Sequence, residues 1–392
     1  MTPWTSRFSA YAGRVVPSAI RALATMPKAA DTISFGPGEP DASLFPAERI
    51  AEGMARLLAS PQAARAALQY ATTEGDPALR KRIAGHMRKR GVPCGPQNVM
   101  LTNGSQQALD LMGSLLIDPG ATVLVQAPTY PGALQVFAAH GAKIADVARF
   151  EANGSGRPAL VYAMANFQNP TGASLSLEER RRLVALARDL DAVLIEDDPY
   201  EVLRYEGEPL PPLLALDAQG DTIEACRSVY LGTFSKSAVP GFRVGWVVAP
   251  QAVIEQLALM KQSEDLQAGT LAQACLVEIF DFIAGEHALR LREAYRLRRD
   301  TMLAALTEEF GNRASFSVPQ GGFFVWLTLP EEIDAGALLP HAAQAGVTYV
   351  PGAAFFHDGQ GRNTLRLSFS STPLARIAEG VARLAAVLKA GG

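Results

Sequence analysis

Cysteine is scarce in this chain of 392 residues, which has only Cys94, Cys226 and Cys275. They are too widely spaced for a zinc knuckle and odd in number for a disulfide framework. Histidine is nearly as sparse: His86, His140, His287, His341 and His357 show no HExxH spacing, so the cysteines and histidines alike read as structural. A charge excess is missing too. The 36 basic and 39 acidic residues leave a formal charge of −3, with no basic tract of the kind that tracks a nucleic-acid backbone. No apolar run approaches a membrane span, and Met1 to Val16 is polar and aromatic without an apolar signal-like core. The expectation is a cytoplasmic protein that binds neither nucleic acid nor membrane. Repeats, low-complexity tracts and long linkers are also absent.

What is present is an apolar fraction of 48%, enough at this length for a large core divided into one large and one small domain. From about residue 100 to 250 strand-like runs alternate with helical patterns, which argues for a mostly parallel sheet flanked by helices. The segment after Ser176 illustrates this. Ser176 and Glu179 form a capping box, and Leu183, Val184, Ala187 and Leu190 give one apolar face. The run Glu178-Glu179-Arg180-Arg181-Arg182 then reads as a solvated face.

In Gly232-Thr233-Phe234-Ser235-Lys236 a lysine sits among small hydroxyl residues at the mouth of an apolar strand, and Arg243 follows seven residues later. An amine so placed beside a fixed cation suits a Schiff base to an aldehyde cofactor that also carries a phosphate, namely pyridoxal phosphate. Alone, the stretch equally fits a solvated lysine in a connecting turn. The rest of the chain supplies the other groups. A carboxylate must face the pyridine nitrogen to keep it protonated. The run Ala192 to Ile195 leads into Glu196-Asp197-Asp198-Pro199-Tyr200, placing Asp197 and Tyr200 where ligands collect, beyond a strand's carboxyl end. Asp197 would hold the ring nitrogen and Tyr200 the ring oxygen. Asp198 can exchange roles with Asp197, and a purely structural acidic turn fits the same residues.

Asn169, in Asn166-Phe167-Gln168-Asn169-Pro170-Thr171-Gly172, follows the run Leu160 to Met164 and can donate an amide hydrogen to that ring oxygen. The phosphate needs donors of its own. Leu101-Thr102-Asn103-Gly104-Ser105-Gln106-Gln107 precedes a helical pattern through Ala108, Leu109, Met112, Leu115 and Leu116, so free N–H groups at the helix start point at an anion. Gly104, Ser105, Gln106, Thr233, Ser235 and Arg243 complete the cradle; a simple N-cap by Ser105 is the alternative. Tyr130, after the run Val123 to Gln126, is placed to stack on the pyridine face, or else to pack as a half-buried residue.

With Arg366-Leu367-Ser368-Phe369-Ser370 added, five ordered motifs spread over almost the whole chain resemble the fold type I pyridoxal phosphate enzymes, specifically the class I/II aminotransferases. The closest likeness is to the group acting on 2-aminoadipate, kynurenine and aromatic or branched amino acids. It lies in Ser18-Ala19-Ile20-Arg21, in Ile33-Ser34-Phe35-Gly36-Pro37-Gly38-Glu39-Pro40, in Leu68-Gln69-Tyr70 and in the Glu196 to Tyr200 run. The resemblance implies an α/β fold: a large domain (46–284) with a mostly parallel seven-stranded-type sheet, and a smaller α+β domain from 1–45 and 285–392.

It also implies transamination between an L-amino acid and a 2-oxo acid such as 2-oxoglutarate or pyruvate, with Lys236 as both anchor and base. Arg366 would clamp the α-carboxylate, with Asn169 and Gly38 also on the substrate side. Ser18 and Arg21 would cover the substrate side chain, Arg21 pairing with a distal carboxylate. Tyr70 would reach the phosphate of a neighbouring subunit, which makes the protein a two-fold homodimer. Where the group usually carries two adjacent glycines and an apolar residue, this chain has Pro37-Gly38-Glu39, so a stiffer and more acidic loop is expected. Two other classes share parts of the pattern. A pyridoxal phosphate lyase, cyclase or decarboxylase would keep every cofactor residue, and a non-catalytic effector sensor would carry a DNA-binding segment ahead of motifs that here begin within the first 40 residues.

Overall fold

A computed structural model describes residues 4–17 and 31–391. The first strand, β1 (Ile33–Ser34), is short. The alternation read between about 100 and 250 folds as one sheet of seven strands: β2 (Val99–Thr102), β3 (Thr122–Val125), β4 (Lys143–Asp146), β5 (Leu160–Ala163), β6 (Val193–Asp197), β7 (Ser228–Thr233) and β8 (Gly245–Val248). Their order is β2-β8-β7-β6-β5-β3-β4. Only β8 runs against its neighbours, pairing antiparallel with both β2 and β7.

Near-continuous apolar runs form these strands because helices cover both faces. β2, β5, β7 and β8 are buried along their whole length. Alternation then sends successive side chains into different layers. Val123, Val125, Leu160 and Tyr162 join one core cluster with Phe137 and Met112, whereas Leu124, Val161 and Ala163 join another with Leu183 and Val184.

The last third of the chain builds a second sheet from β9 (Ser315–Phe316), β10 (Phe324–Thr328), β12 (Val350–Pro351) and β13 (Thr364–Ser368), all antiparallel, in the order β12-β13-β10-β9. β11 (Val347–Thr348) pairs in parallel with β1, so the segment before the large sheet joins the segment after it. The long helices Ala288–Phe310 and Leu374–Gly391 pack on each other in this part of the molecule. None of the described helices is long and apolar enough to cross a membrane.

The capping box at Ser176 forms as read, with Ser176 Oγ accepting from Glu179 N and Glu179 accepting from Ser176 N. Glu178, Glu179, Arg181 and Arg182 stay exposed, as a solvated face requires, but Arg180 does not. Arg180 is 0% exposed, and its guanidinium donates to the carbonyls of Leu175, Pro211 and Ala165 and to Asn166 Oδ1. The helical period explains the correction, because Arg180 stands three, four and seven positions before Leu183, Val184 and Ala187 and therefore shares their inward stripe.

Candidate active site

Every parallel strand from β2 to β7 delivers its carboxyl end to one side of the large sheet, and a cavity of about 690 Å³ opens there. It is lined by Gly38, Ser105, Gln106, Tyr130, Asn169, Asp197, Tyr200, Thr233, Ser235, Lys236, Arg243 and Arg366. All of these are residues singled out in the sequence, and they come from segments as far apart in the chain as Gly38 and Arg366. Gly104 lies just behind them. Tyr70 stays apart, 77% exposed. Ser18 and Arg21 lie outside the described residues. Pro37 and Glu39, which the sequence marks as a departure in the substrate-side loop, also line the cavity, as do Ser34, Gln135, Met164, Pro199 and Phe324; those last five did not stand out in the sequence as site residues, since apolar and small polar residues carry no chemical signature of their own.

The helix Ser105–Leu116 begins directly after β2, and its N-cap is Gly104, with no side-chain cap. The Ser105 hydroxyl is therefore not spent on capping, and the first N–H groups of the helix face the cavity end of the sheet. Gly104 has φ +81°, and a Cβ there would lie 2.6 Å from Arg243 Nη2. Only glycine satisfies both the backbone angle and the close approach of the guanidinium. Arg243 itself has a left-handed backbone, φ 52°, and Nη1 donates to Ser235 Oγ and to the Pro240 carbonyl. Thr233 Oγ1 is linked to Ser235 Oγ and accepts from Ser235 N. Behind the loop, Asn103 and Gln107 donate to Asp265, which also pairs with the buried Lys261. This brace was not legible as a motif.

β6 extends through Asp197, so that residue is the last of the strand and not part of the loop after it. Asp197 Oδ2 accepts from the Tyr162 hydroxyl at 2.8 Å, while Oδ1 is buried with no partner. Burial, reinforced by the neighbouring Asp198, pushes the carboxyl up to about 7 despite the hydrogen bond from Tyr162. Asp198 turns away from the cavity. Its Oδ2 accepts from Arg90, Asn166 and Tyr230. Burial pushes Glu201, nearby, up, but Arg90 and the His86 hydrogen bond prevail and hold it down at about 2.

Lys236 Nζ donates to the Gly38 carbonyl at 2.7 Å. Burial, reinforced by the positive charge of Arg366, lowers its amine to about 8. A side chain at Gly38 would collide with the Phe324 ring, 2.7 Å away, so the loop at Pro37-Gly38-Glu39 packs tightly over this end of the cavity. Arg366, on β13, is fully buried between two aromatic rings, its guanidinium carbon 4.2 Å from the Phe324 centroid and 5.1 Å from that of Phe355. It donates to Asn169 Oδ1 at 2.7 Å and to the Gly36 carbonyl, and its Nε has no partner. Burial lowers it to about 10, still charged at neutral pH. Tyr200 packs edge-on against Phe323 and Phe324, and burial pushes its phenol up. The Tyr130 hydroxyl donates to Gln106 Oε1 at 3.2 Å. An amine, an unpartnered carboxylate, a helix start with an arginine, and a second buried arginine thus converge on one space.

The sequence model for aminotransferase class I and II matches residues 30–384. The chain belongs to that family. It is 39% identical to the aromatic-amino-acid aminotransferase 1 of Thermococcus litoralis over 393 residues, covering 95% of this chain and 91% of the relative. It is 37% identical to the 2-aminoadipate transaminase of Thermus thermophilus, covering 98% and 97%. Among solved structures, the α-aminoadipate aminotransferase LysN of Thermus thermophilus, complexed with N-(5'-phosphopyridoxyl)-L-leucine, superposes with a TM-score of 0.90 at 37% identity, covering 99% of this chain and 98% of that one. The aminotransferase has the fold type I architecture and uses pyridoxal phosphate.

Proposed function

We propose that this aminotransferase moves an amino group between an L-amino acid of the 2-aminoadipate, aromatic or branched type and a 2-oxo acid such as 2-oxoglutarate or pyruvate, and that the cavity at the carboxyl ends of β2 to β7 is its active site. The observation that carries the reading is the convergence of Lys236, the unpartnered Asp197 Oδ1 and the buried Arg366 on that cavity. The substrate types rest on the names of the relatives. Bound pyridoxal phosphate supplies an aldehyde that takes up the amino group and a ring that withdraws electrons from the substrate's α-carbon.

The residues present fit that group at each end. Asp197 would hold the ring nitrogen, Tyr200 and Asn169 the ring oxygen, and Tyr130 would stack on the ring. Gly104, Ser105, Gln106, Thr233, Ser235 and Arg243 would hold the phosphate, where helix N–H groups and a guanidinium reinforce each other. Lys236 would anchor the cofactor and its amine would carry the proton away from the α-carbon; an amine lowered to about 8 sits near the working pH, where proton transfer is most efficient. Arg366 clamps the α-carboxylate through paired N–H donors, and its contacts with Asn169, Phe324 and Phe355 fix the guanidinium and so the bond that breaks.

Half-reactions test this reading. Mixing the loaded enzyme with a single amino donor should convert the cofactor to its amine form and release the 2-oxo acid, and adding 2-oxoglutarate or pyruvate should reverse the spectrum. Release of ammonia or carbon dioxide without the amine form would replace transamination by a lyase or decarboxylase.

We also propose a homodimer in which Tyr70 completes the partner's phosphate site. Its exposure, its distance from the cavity of its own subunit, and the exposed Leu68 beside it support this. Sedimentation at assay concentration should give a dimer; a fully active monomer would remove the shared site.

A further inference from the structure

We propose that Tyr162 is the positioning residue for Asp197, holding that carboxylate ionised and aimed into the cavity from one strand away. The inference rests on reading Asp197 as the partner of the ring nitrogen.

Tyr162 lies within Leu160-Val161-Tyr162-Ala163, in a strand with every residue buried. A phenol there costs free energy unless its O–H finds an acceptor. β5 and β6 run parallel with Tyr162 opposite Ile195, and the long side chain reaches two residues further along β6, where the hydroxyl donates to Asp197 Oδ2 at 2.8 Å. Phe137, from the helix Pro131–Ala139, meets the Tyr162 ring edge-on with centroids 5.6 Å apart, which fixes the phenol's direction. The titratable groups facing Tyr162 are Asp197 first, then Tyr130 and Tyr200. Asp197 in turn has one protein donor on Oδ2 and none on Oδ1.

The chemistry of that single donor matters. A cation against Asp197 would neutralise it, as Arg90 does for Asp198, and leave nothing to balance a positive ring nitrogen. No donor at all would leave burial unopposed, and a proton shared with the ring nitrogen would sit more on the carboxylate. A phenol avoids both outcomes. It favours the ionised carboxylate by hydrogen bonding without adding charge. Burial and the neighbouring Asp197 push its own ionisation well up, so it remains a donor across the working range.

Tyr162→Phe removes only the hydroxyl and keeps the ring against Phe137. Relative to wild type, the pH midpoint of the cofactor's visible absorption should move upward. The dissociation constant for pyridoxal phosphate, read by titrating the cofactor-free enzyme, should rise roughly 10-fold. kcat should fall by a similar factor with the KM for the amino donor little changed. In an Asp197→Asn background the same substitution should weaken cofactor binding by less than about 2-fold, because the two residues act as one unit. A Tyr162→Phe protein with a lowered melting temperature but an unmoved absorption midpoint and cofactor affinity would show a merely structural tyrosine and overturn the inference. So would an undiminished affinity loss in the Asp197→Asn background. If Asp197→Asn alone leaves the absorption midpoint in place, the reading of Asp197 falls and takes the inference with it; if Asp197→Asn moves it and Tyr162→Phe does not, only the inference falls.

Discussion

Asp197 and Asp198 are chain neighbours with opposite surroundings. On the cavity side of β6, Asp197 has one neutral donor and a second oxygen with none. On the reverse side, Asp198 Oδ1 is likewise buried without a partner, but Oδ2 gathers a guanidinium, an amide and a phenol, within a network that continues from Asn166 to Arg180 and Arg204; the difference between the two aspartates is the charged donor. The same contrast separates Lys236, whose amine donates to the Gly38 carbonyl and sits over the Phe323 ring with no carboxylate paired to it among the described residues, from Lys261, which is buried against the carboxylate of Asp265. Buried charge that is paired serves the fold, and buried charge left short of partners has a perturbed proton affinity and is available for chemistry.

Substitutions on the two sides should therefore separate activity from stability. The largest effect belongs to Lys236→Ala. It should abolish the cofactor's visible absorption and lower turnover by more than the roughly 10²–10⁴ of a lost proton-transfer group, because the anchor disappears as well. Borohydride reduction followed by peptide mapping checks it; label on another lysine would break the cavity-side half of the comparison.

The neighbouring aspartates sharpen it. Asp197→Asn should cost at least about 10² in kcat, since an amide cannot balance a pyridinium. Asp198→Asn should leave the folded enzyme nearly as active but lower its unfolding free energy by about 3 kcal/mol, the low end for breaking a buried pair from one side. Urea unfolding and steady-state rates measure both, and the reverse order would transfer the cofactor role to Asp198.

The smallest effect is a pH dependence. The folded Asp197 carboxyl binds its proton up to about 7, whereas an unfolded one releases it near 4. Between those values the folded state holds more protons, so this residue's contribution to stability is present below about pH 4 and is lost as pH rises through 7. Cofactor-free Asp197→Asn should match wild type near pH 4 and exceed it by about 1 kcal/mol or more above pH 7. A constant difference across that range would mean that Asp197 is not a buried, proton-hungry carboxylate.

Much of the site was legible because its residues stand at fixed offsets from strand ends: Ser105 after β2, Asn169 after β5, Tyr200 after β6 and Lys236 after β7. The helix at Ser176 was legible for the same reason, a cap and a period. Phe324 was not, because it enters the cavity from a segment whose own pattern says nothing of where it docks. Arg180 was misread, although its spacing from Leu183 and Ala187 carried the signal; a charged residue on an apolar stripe needs buried carbonyls, and those come from Leu175, Ala165 and Pro211.

The sequence by itself determined the parallel sheet and most of the residues that line the cavity at its carboxyl edge, because strand period, helix starts and reactive side chains are local properties, and its motifs carried the resemblance to the family. It left Asp197 and Asp198 interchangeable. Only the tertiary structure decided which of them meets the cavity, which one Arg90 neutralises, and that Tyr162, 35 residues away, donates to the first. Which face of a strand meets solvent, ligand or ion pair is set by what packs on it, and that packing is brought together from distant parts of the chain.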